Sequence, residues 1–289
     1  GALNPGNAEK STVDRIDYSN DTATASPKGP LSVARYSLAA TSSSLFGYFG
    51  GGVPGPLSTV DRIDYSNDTA TAVAKGLLSA GKHSLAATGN ASFGYFGGGF
   101  ISSYLSSVDR VDYSNDTATA VAKGPLSAGR SQFAATGNQS FGYFGGGNTG
   151  SIVSTVDRID YSNDTATAAA KGPLSSTRRL IGATGNASFG YFGGGVPGSK
   201  STVDRIDYSN DTGTTPTKGP LSVARGQLAA TGNTSFGYFG GGSTSGPDRS
   251  TVERIDYSND TATASEKGPL NADRFNLGAS SAGANALPQ

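Results

Sequence analysis

From Arg35 onward, short apolar runs alternate with polar turns in an order that then repeats along the chain. Tyr36–Thr41 alternates weakly and reads as a first short strand; Ser42–Ser44, replaced by Thr88–Asn90 in the next copy, reads as the turn after it. Phe46-Gly47-Tyr48-Phe49, running into Gly50–Gly52, is a second strand. Period-two geometry puts Phe46 and Tyr48 on one face and Gly47 and Phe49 on the other, so bare glycine beside a ring can receive aromatic side chains from a neighbouring sheet. Thr59–Asp64 is rich in β-branched residues and forms a third strand; Tyr65–Asp68 is a strong turn signal, and Thr69–Ala72 is predicted as the fourth strand. Lys75-Gly76 then leads into the next unit, as do Lys28, Lys123, Lys171, Lys218 and Lys267 in their copies.

The third strand and its turn read identically at Ser11–Asp21, Ser58–Asp68, Ser154–Asp164 and Ser201–Asp211, with near copies at Ser106–Asp116 and Ser250–Asp260. Their tyrosines, Tyr18, Tyr65, Tyr113, Tyr161, Tyr208 and Tyr257, lie 47, 48, 48, 47 and 49 residues apart. Four hairpin-connected strands at that period describe a propeller blade. The first unit enters at its third strand (Ser11) and the last stops after its first (Phe275–Ser280), with no polar capping repeat of the kind a solenoid carries. The expectation is therefore an all-β, closed six-bladed β-propeller of four-stranded blades, one domain over 1–289. One composite blade would join 11–25 to 275–289, its second strand drawn from Ala282–Leu287 or from Gly1–Asn4. Phe46, Phe93, Phe141, Phe189 and Phe236 are expected to be buried between blades.

An aromatic strand ending in glycines, a strand ending in hydrophobic-Asp, a polar turn, a short outer strand and a basic residue opening the next unit together resemble the kelch repeat of galactose-oxidase-type propellers. The resemblance covers nearly the whole chain. It departs at the outer strand, where the usual tryptophan is Ala or Thr, as at Ala23, so blade packing falls to Phe, Tyr and Ile. The repeated Asp-Tyr-Ser-Asn-Asp-Thr-Ala-Thr-Ala wording is also similar to repeats in structural proteins of marine bacteriophages.

Composition narrows the function classes. With 22 basic and 22 acidic side chains interspersed, no long-range field draws nucleic acid or an anionic membrane. No apolar run reaches the length of a membrane helix, so no membrane insertion is expected. The chain holds no cysteine and a single histidine, His83. That excludes a disulfide framework, thiolate chemistry and the copper chemistry that the galactose-oxidase resemblance would otherwise imply. The expectation is a protein without catalytic activity, cofactor or metal. The chain opens on Gly1 and has no Met, so a trimmed N-terminus is also expected.

Comparison of the internal copies locates the candidate site. The loop after the second strand reads Val53–Leu57, Phe100–Leu105, Asn148–Val153, Val196–Lys200 and Ser243–Arg249, and its length accounts for the variation in period. Variable loops on a uniform scaffold are where binding resides. Within them Phe100, Ile101, Tyr104 and Leu105 form the most apolar cluster and are the candidate partner-binding residues. The Asp-Tyr-Ser-Asn-Asp turns offer oxygen ligands, but Asn and Asp are ordinary turn residues and the spacing of a calcium loop is lacking. Asn20-Asp21-Thr22 and its five copies, with Asn90, Asn138, Asn186 and Asn233, also fit the glycosylation acceptor pattern, which turn chemistry explains equally well. Arg15, Arg62, Arg110, Arg158, Arg205 and Arg254 are expected to form ion pairs between blades. Arg35, Lys82, Arg130, Arg178, Arg225 and Arg274 are candidates to ring a central channel. These readings point to a structural and binding protein of a virion or extracellular surface, part of a larger assembly, engaging a protein partner or cell-surface receptor through its loop face. The alternative is a multivalent carbohydrate-binding propeller that holds a glycan at each blade.

Overall fold

The structure, a computed structural model, describes residues 1–244 and 246–282. Five antiparallel sheets follow one another along the chain, each an up-and-down meander. The first contains Ala39–Ser42, Phe46–Gly50, Val60–Asp64 and Val73–Ala74 in that spatial order. The second, third and fifth repeat this arrangement. The fourth has three strands, Gly182–Gly185, Phe189–Gly193 and Val203–Asp207, plus an isolated bridge from Asp204 to Thr217. Pro216 interrupts its outer strand because it has no N–H to give the ladder. This is a β-propeller, built of the four-stranded blades the periodicity predicts.

There are five blades rather than the expected six. The N-terminal copy contributes Val13–Arg15 and Ser26–Lys28 as a separate two-stranded sheet. Phe275–Ser280 does not share that sheet, because an inner strand bonds only to a second strand and none stands between them among the described residues. Gly1–Asn4 does not supply it: Ala2–Leu3 pairs with Glu9–Lys10, and Leu3 faces Phe275 as Val53 faces Tyr36, beyond the end of a second strand. The other expected source, Ala282–Leu287, lies outside the described residues after Ala282.

Two element boundaries also differ from expectation. The inner strand begins at Ala39 rather than Tyr36 because Ser37 is left-handed, with φ 54°, as are Ser84, Gln132, Leu180, Gln227 and Asn276 in their copies. Each amide of this set donates to the carbonyl of the preceding copy: Ser84 to Ser37, Gln132 to Ser84, Leu180 to Gln132, Gln227 to Leu180, Asn276 to Gln227 and Ser37 to Asn276, at 2.7–2.9 Å. A left-handed non-glycine residue is unusual, and here one per copy turns its amide out of its own strand and toward the preceding copy. The outer strand begins at Val73, later than Thr69, because Tyr65–Asn67 forms a turn of 3₁₀ helix that Asp64 caps through the Ser66 amide.

Packing between blades is aromatic on glycine. The Phe96 ring lies against Gly50 of the preceding blade, where a Cβ would stand 2.7 Å from it; Phe144 covers Gly97, Phe192 covers Gly145 and Phe239 covers Gly193 in the same way. Tyr113 inserts at the same boundary and stacks on Tyr48 at 4.7 Å, and Tyr161, Tyr208, Tyr257 and Tyr18 repeat the stack on Tyr95, Tyr143, Tyr191 and Tyr238. The expected burial of Phe46, Phe93, Phe141, Phe189 and Phe236 is corrected: they are half-buried, each covered by the guanidinium of an arginine on its own third strand, such as Arg62 at 4.2 Å from the Phe46 ring. The fully buried rings are Tyr48, Phe96, Tyr143, Phe144 and their equivalents.

Phe144→Ala should accordingly cost about 3–5 kcal/mol by opening a cavity against Gly97. Phe141→Ala, which removes a ring already partly wet and with it one cation–π contact, should cost about 1–2 kcal/mol. Equilibrium denaturation of the two variants measures the difference; equal losses would contradict this packing.

Candidate functional site

The loop after the second strand and the residue before the left-handed position meet on one face of the propeller. Backbone bridges join Tyr36 to Val53, His83 to Phe100, Ser131 to Asn148, Arg179 to Val196 and Gly226 to Ser243. The loops that vary in length therefore sit beside an inner rim, Tyr36, His83, Ser131, Arg179, Gly226 and Phe275, that varies in side chain. Sequence reasoning named the loops and missed the rim. The signal was available, since the residue after each buried Arg or Lys is different in all six copies.

The four predicted site residues fall in one small hairpin. Phe100 bridges to Tyr104, their rings 5.2 Å apart and edge to face, and the His83 ring packs on Phe100 at 5.8 Å. The Tyr104 hydroxyl accepts from the Asn148 side chain of the next loop at 3.0 Å, so two adjacent loops are tied together. Ile101 stands at the tip, 40% exposed. Leu105 closes the base: its amide donates to Gly99 and its carbonyl accepts from the Arg130 amide. Phe100, Tyr104 and Leu105 are half-buried, so the hairpin presents an aromatic edge on a fixed backbone, with Ile101 projecting from it. Burial lowers the pKa of His83, whose Nδ1 lies 3.0 Å from the Ser84 hydroxyl, so the imidazole enters this cluster neutral at pH 7.

The remaining candidate groups are spent inside the frame. Arg35, Lys82, Arg130, Arg178, Arg225 and Arg274 do not ring the channel. They are buried and paired with Asp61, Asp109, Asp157, Asp204, Glu253 and Asp14 on the third strand of their copy. The channel is lined instead by the methyls of Ala40, Ala87, Ala135, Ala183, Ala230 and Ala279, around a cavity of about 50 Å³. The strand-three arginines form the expected pairs across blade boundaries, among them Arg62–Asp116 at 2.7 Å and Arg158–Asp211 at 2.8 Å. Asp116 also accepts from the Tyr48 hydroxyl and pairs with Lys75, and Asp164, Asp211, Asp260 and Asp21 have the same three partners. These turn carboxylates are thus committed to neighbouring blades. Among the described residues no three His, Cys, Asp or Glu side chains converge as metal ligands, and no helix is long and apolar enough to cross a membrane. Asn90, Asn138, Asn186 and Asn233 cap their turns, each side-chain oxygen accepting two amides.

No family model matches the chain, and no curated protein matches it. Solved structures that resemble it are numerous, 475 chains in all, so likeness at this level identifies a fold and not a function. One of them, the structure of YjhT, has a TM-score of 0.72 over 86% of this chain and 88% of that one, at 12% identity. That likeness shows the propeller fold alone.

The site's electrostatics predict a two-part acid response. Hydrogen bonds from Ser66 and its counterparts hold Asp64, Asp112, Asp160, Asp207 and Asp256 below the usual 3.8. For Asp164 and Asp211, burial opposes ionisation but the Tyr, Lys and Arg partners outweigh it, and these also lie low. A depressed carboxyl contributes stability that is complete above its unfolded pKa and lost as pH falls through the folded one. His83 is a base with a depressed pKa, so the unfolded chain takes up its proton first and stability begins to fall below pH 6.5. The melting temperature should decline slightly below about pH 6.5 and steeply below about pH 4. His83→Gln should remove the shallow part only; a profile flat to pH 3 would overturn the assignment.

Proposed function

We propose that this protein is a structural and binding module without catalytic activity, which engages a protein partner or cell-surface receptor through the loop face. One observation carries the reading. The divergence in loop length gathers on one face, beside a rim whose residue differs in all six copies. Lone hot spots on such surfaces are aromatic, and the Phe100–Tyr104 hairpin supplies two with an exposed Ile101 between them. A partner recognised by five unlike loops is approached in one orientation, as a protein is. The repeated groups that a multivalent glycan site would use, the turn tyrosines and carboxylates, are occupied between blades. The lone histidine packs on Phe100, which supports a binding role for that cluster over a catalytic one. We read the repeat as a kelch-like variant in which stacked tyrosines replace tryptophan. The similarity of the repeat wording to bacteriophage structural proteins supports a virion or extracellular surface as its setting, within a larger assembly.

The double variant Phe100→Ala, Tyr104→Ala should keep the parent's melting profile and weaken partner binding by at least about 2 kcal/mol. Binding is measured by surface plasmon resonance against the proteins of the assembly from which the chain derives. Unchanged binding in this variant, with binding lost on altering the Tyr65–Asp68 turn and its copies, would move the site to the opposite face and support the glycan reading.

A further inference from the structure

The four boundaries between consecutive blades described above are built alike, and between the fifth blade and the first the same construction is missing one strand's worth of contacts. Among the described residues Val13–Arg15 pairs on one edge only, with Ser26–Lys28, whereas Val60–Asp64 pairs on both. Val13 is half-buried where Val60 is fully buried. Arg15 reaches Asp68 across the boundary, but its side chain is 54% exposed against 24–25% for its five counterparts, and among the described residues no phenyl ring lies under it. Asp68 has its Arg and its Lys, and among the described residues no phenol donates to it. Tyr65 is the one turn tyrosine with no ring stacked on it among the described residues. Gly240 has no ring over it either; a Cβ there would stand 3.5 Å from Val252, where the other four glycines are closed by phenylalanine at 2.6–2.9 Å.

These unmet contacts belong to one object. A phenyl on Arg15, a phenol between Tyr65 and Asp68, and a second phenyl on Gly240 are the first, third and fourth side chains of Phe-Gly-Tyr-Phe-Gly, the strand the other blades hold. Among the described residues a cavity of about 310 Å³ lies there, bounded by Arg15, Tyr65, Asp68, Tyr238, Gly240 and Leu277. That volume lies at the lower end of the range for ligand sites, about 300–1,000 Å³. We propose that this groove binds, as an added β-strand, a polypeptide segment from outside residues 1–289 carrying the pattern Phe-Gly-Tyr-Phe-Gly. The five internal copies fix its register. The segment runs antiparallel to the third-strand edge with its Tyr opposite Arg15, its second Phe opposite Asp14 and its last Gly opposite Val13, as Tyr48, Phe49 and Gly50 lie opposite Arg62, Asp61 and Val60. Main-chain bonds to the open edge give affinity, and the three aromatic seats give specificity.

The probe is a fluorescein-labelled peptide with the sequence of residues 90–97 of this chain, titrated into the protein and followed by anisotropy and by the melting temperature. Saturable binding with a raised melting temperature is expected, and replacing the peptide's Tyr and second Phe by Ala should weaken it at least about tenfold. Gly240→Leu fills the empty ring seat where there is room for a side chain. It should leave the melting temperature of the free protein unchanged and weaken the peptide at least about tenfold. Phe100→Ala should have no effect on the peptide, which separates this groove from the loop face. Absence of binding, including the case in which residues 283–289 already fill the groove, overturns the proposal. So does binding that ignores the aromatic replacements or Gly240→Leu.

Discussion

One carboxylate at each blade boundary holds the propeller in register. Asp116 receives the Tyr48 hydroxyl from the second strand of the preceding blade, Arg62 from its third and Lys75 from its outer strand, while its own carbonyl accepts the Gly76 amide. Three strands of one blade thus converge on one residue of the next. Ion pairs of this degree of burial add little net free energy compared with apolar contacts of the same size. Their effect is geometric, because a sheet shifted by one residue would leave a buried carboxylate without its donors, at a cost far above that of losing a surface contact.

The five residues Val60-Asp61-Arg62-Ile63-Asp64 show why the repeat tolerates so little change. Asp61 points inward to the buried Arg35 and to the Ser32 hydroxyl; Arg62 points across the boundary to Asp116; Asp64 caps the turn that follows. Val60 and Ile63 fill the core between. Each side chain answers to a different neighbour, so no two are interchangeable. The loops after the second strand answer to none of these neighbours and differ in length and composition.

Much of this was legible in the sequence, for physical reasons that can be named. Period-two alternation located Phe46–Gly50 and Val60–Asp64 closely, because both faces of those strands are packed and every position is constrained. The glycines signalled close approach by rings, as Phe96 on Gly50 shows. Which ring would be buried was not legible, since Phe93 and Phe96 look equivalent until the preceding blade places Gly50 against Phe96 while Arg110 of the same blade covers Phe93. The left-handed residues carried no signal, because Ser, Gln, Leu and Asn share no side-chain property that favours that conformation as a set. The blade count failed for a related reason: the copies of the third strand number six, but a blade needs its second strand too, and only five of those occur. Of the candidate site, Phe100, Ile101, Tyr104 and Leu105 were found from internal divergence, and the rim beside them was overlooked because it is one residue wide.

The left-handed set has a consequence for how such a protein can change. The bonds that link Ser37, Ser84, Gln132, Leu180, Gln227 and Asn276 use only amides and carbonyls. Nothing in that chain of contacts reads the identity of a side chain, which is why a hydroxyl, an amide and an isobutyl group occupy equivalent places. The collar around the channel mouth is therefore chemically blank. Mutations there can alter polarity, size or charge at six fixed angular stations without disturbing the scaffold, so one architecture can be re-addressed to new contacts by drift at sites that folding does not police.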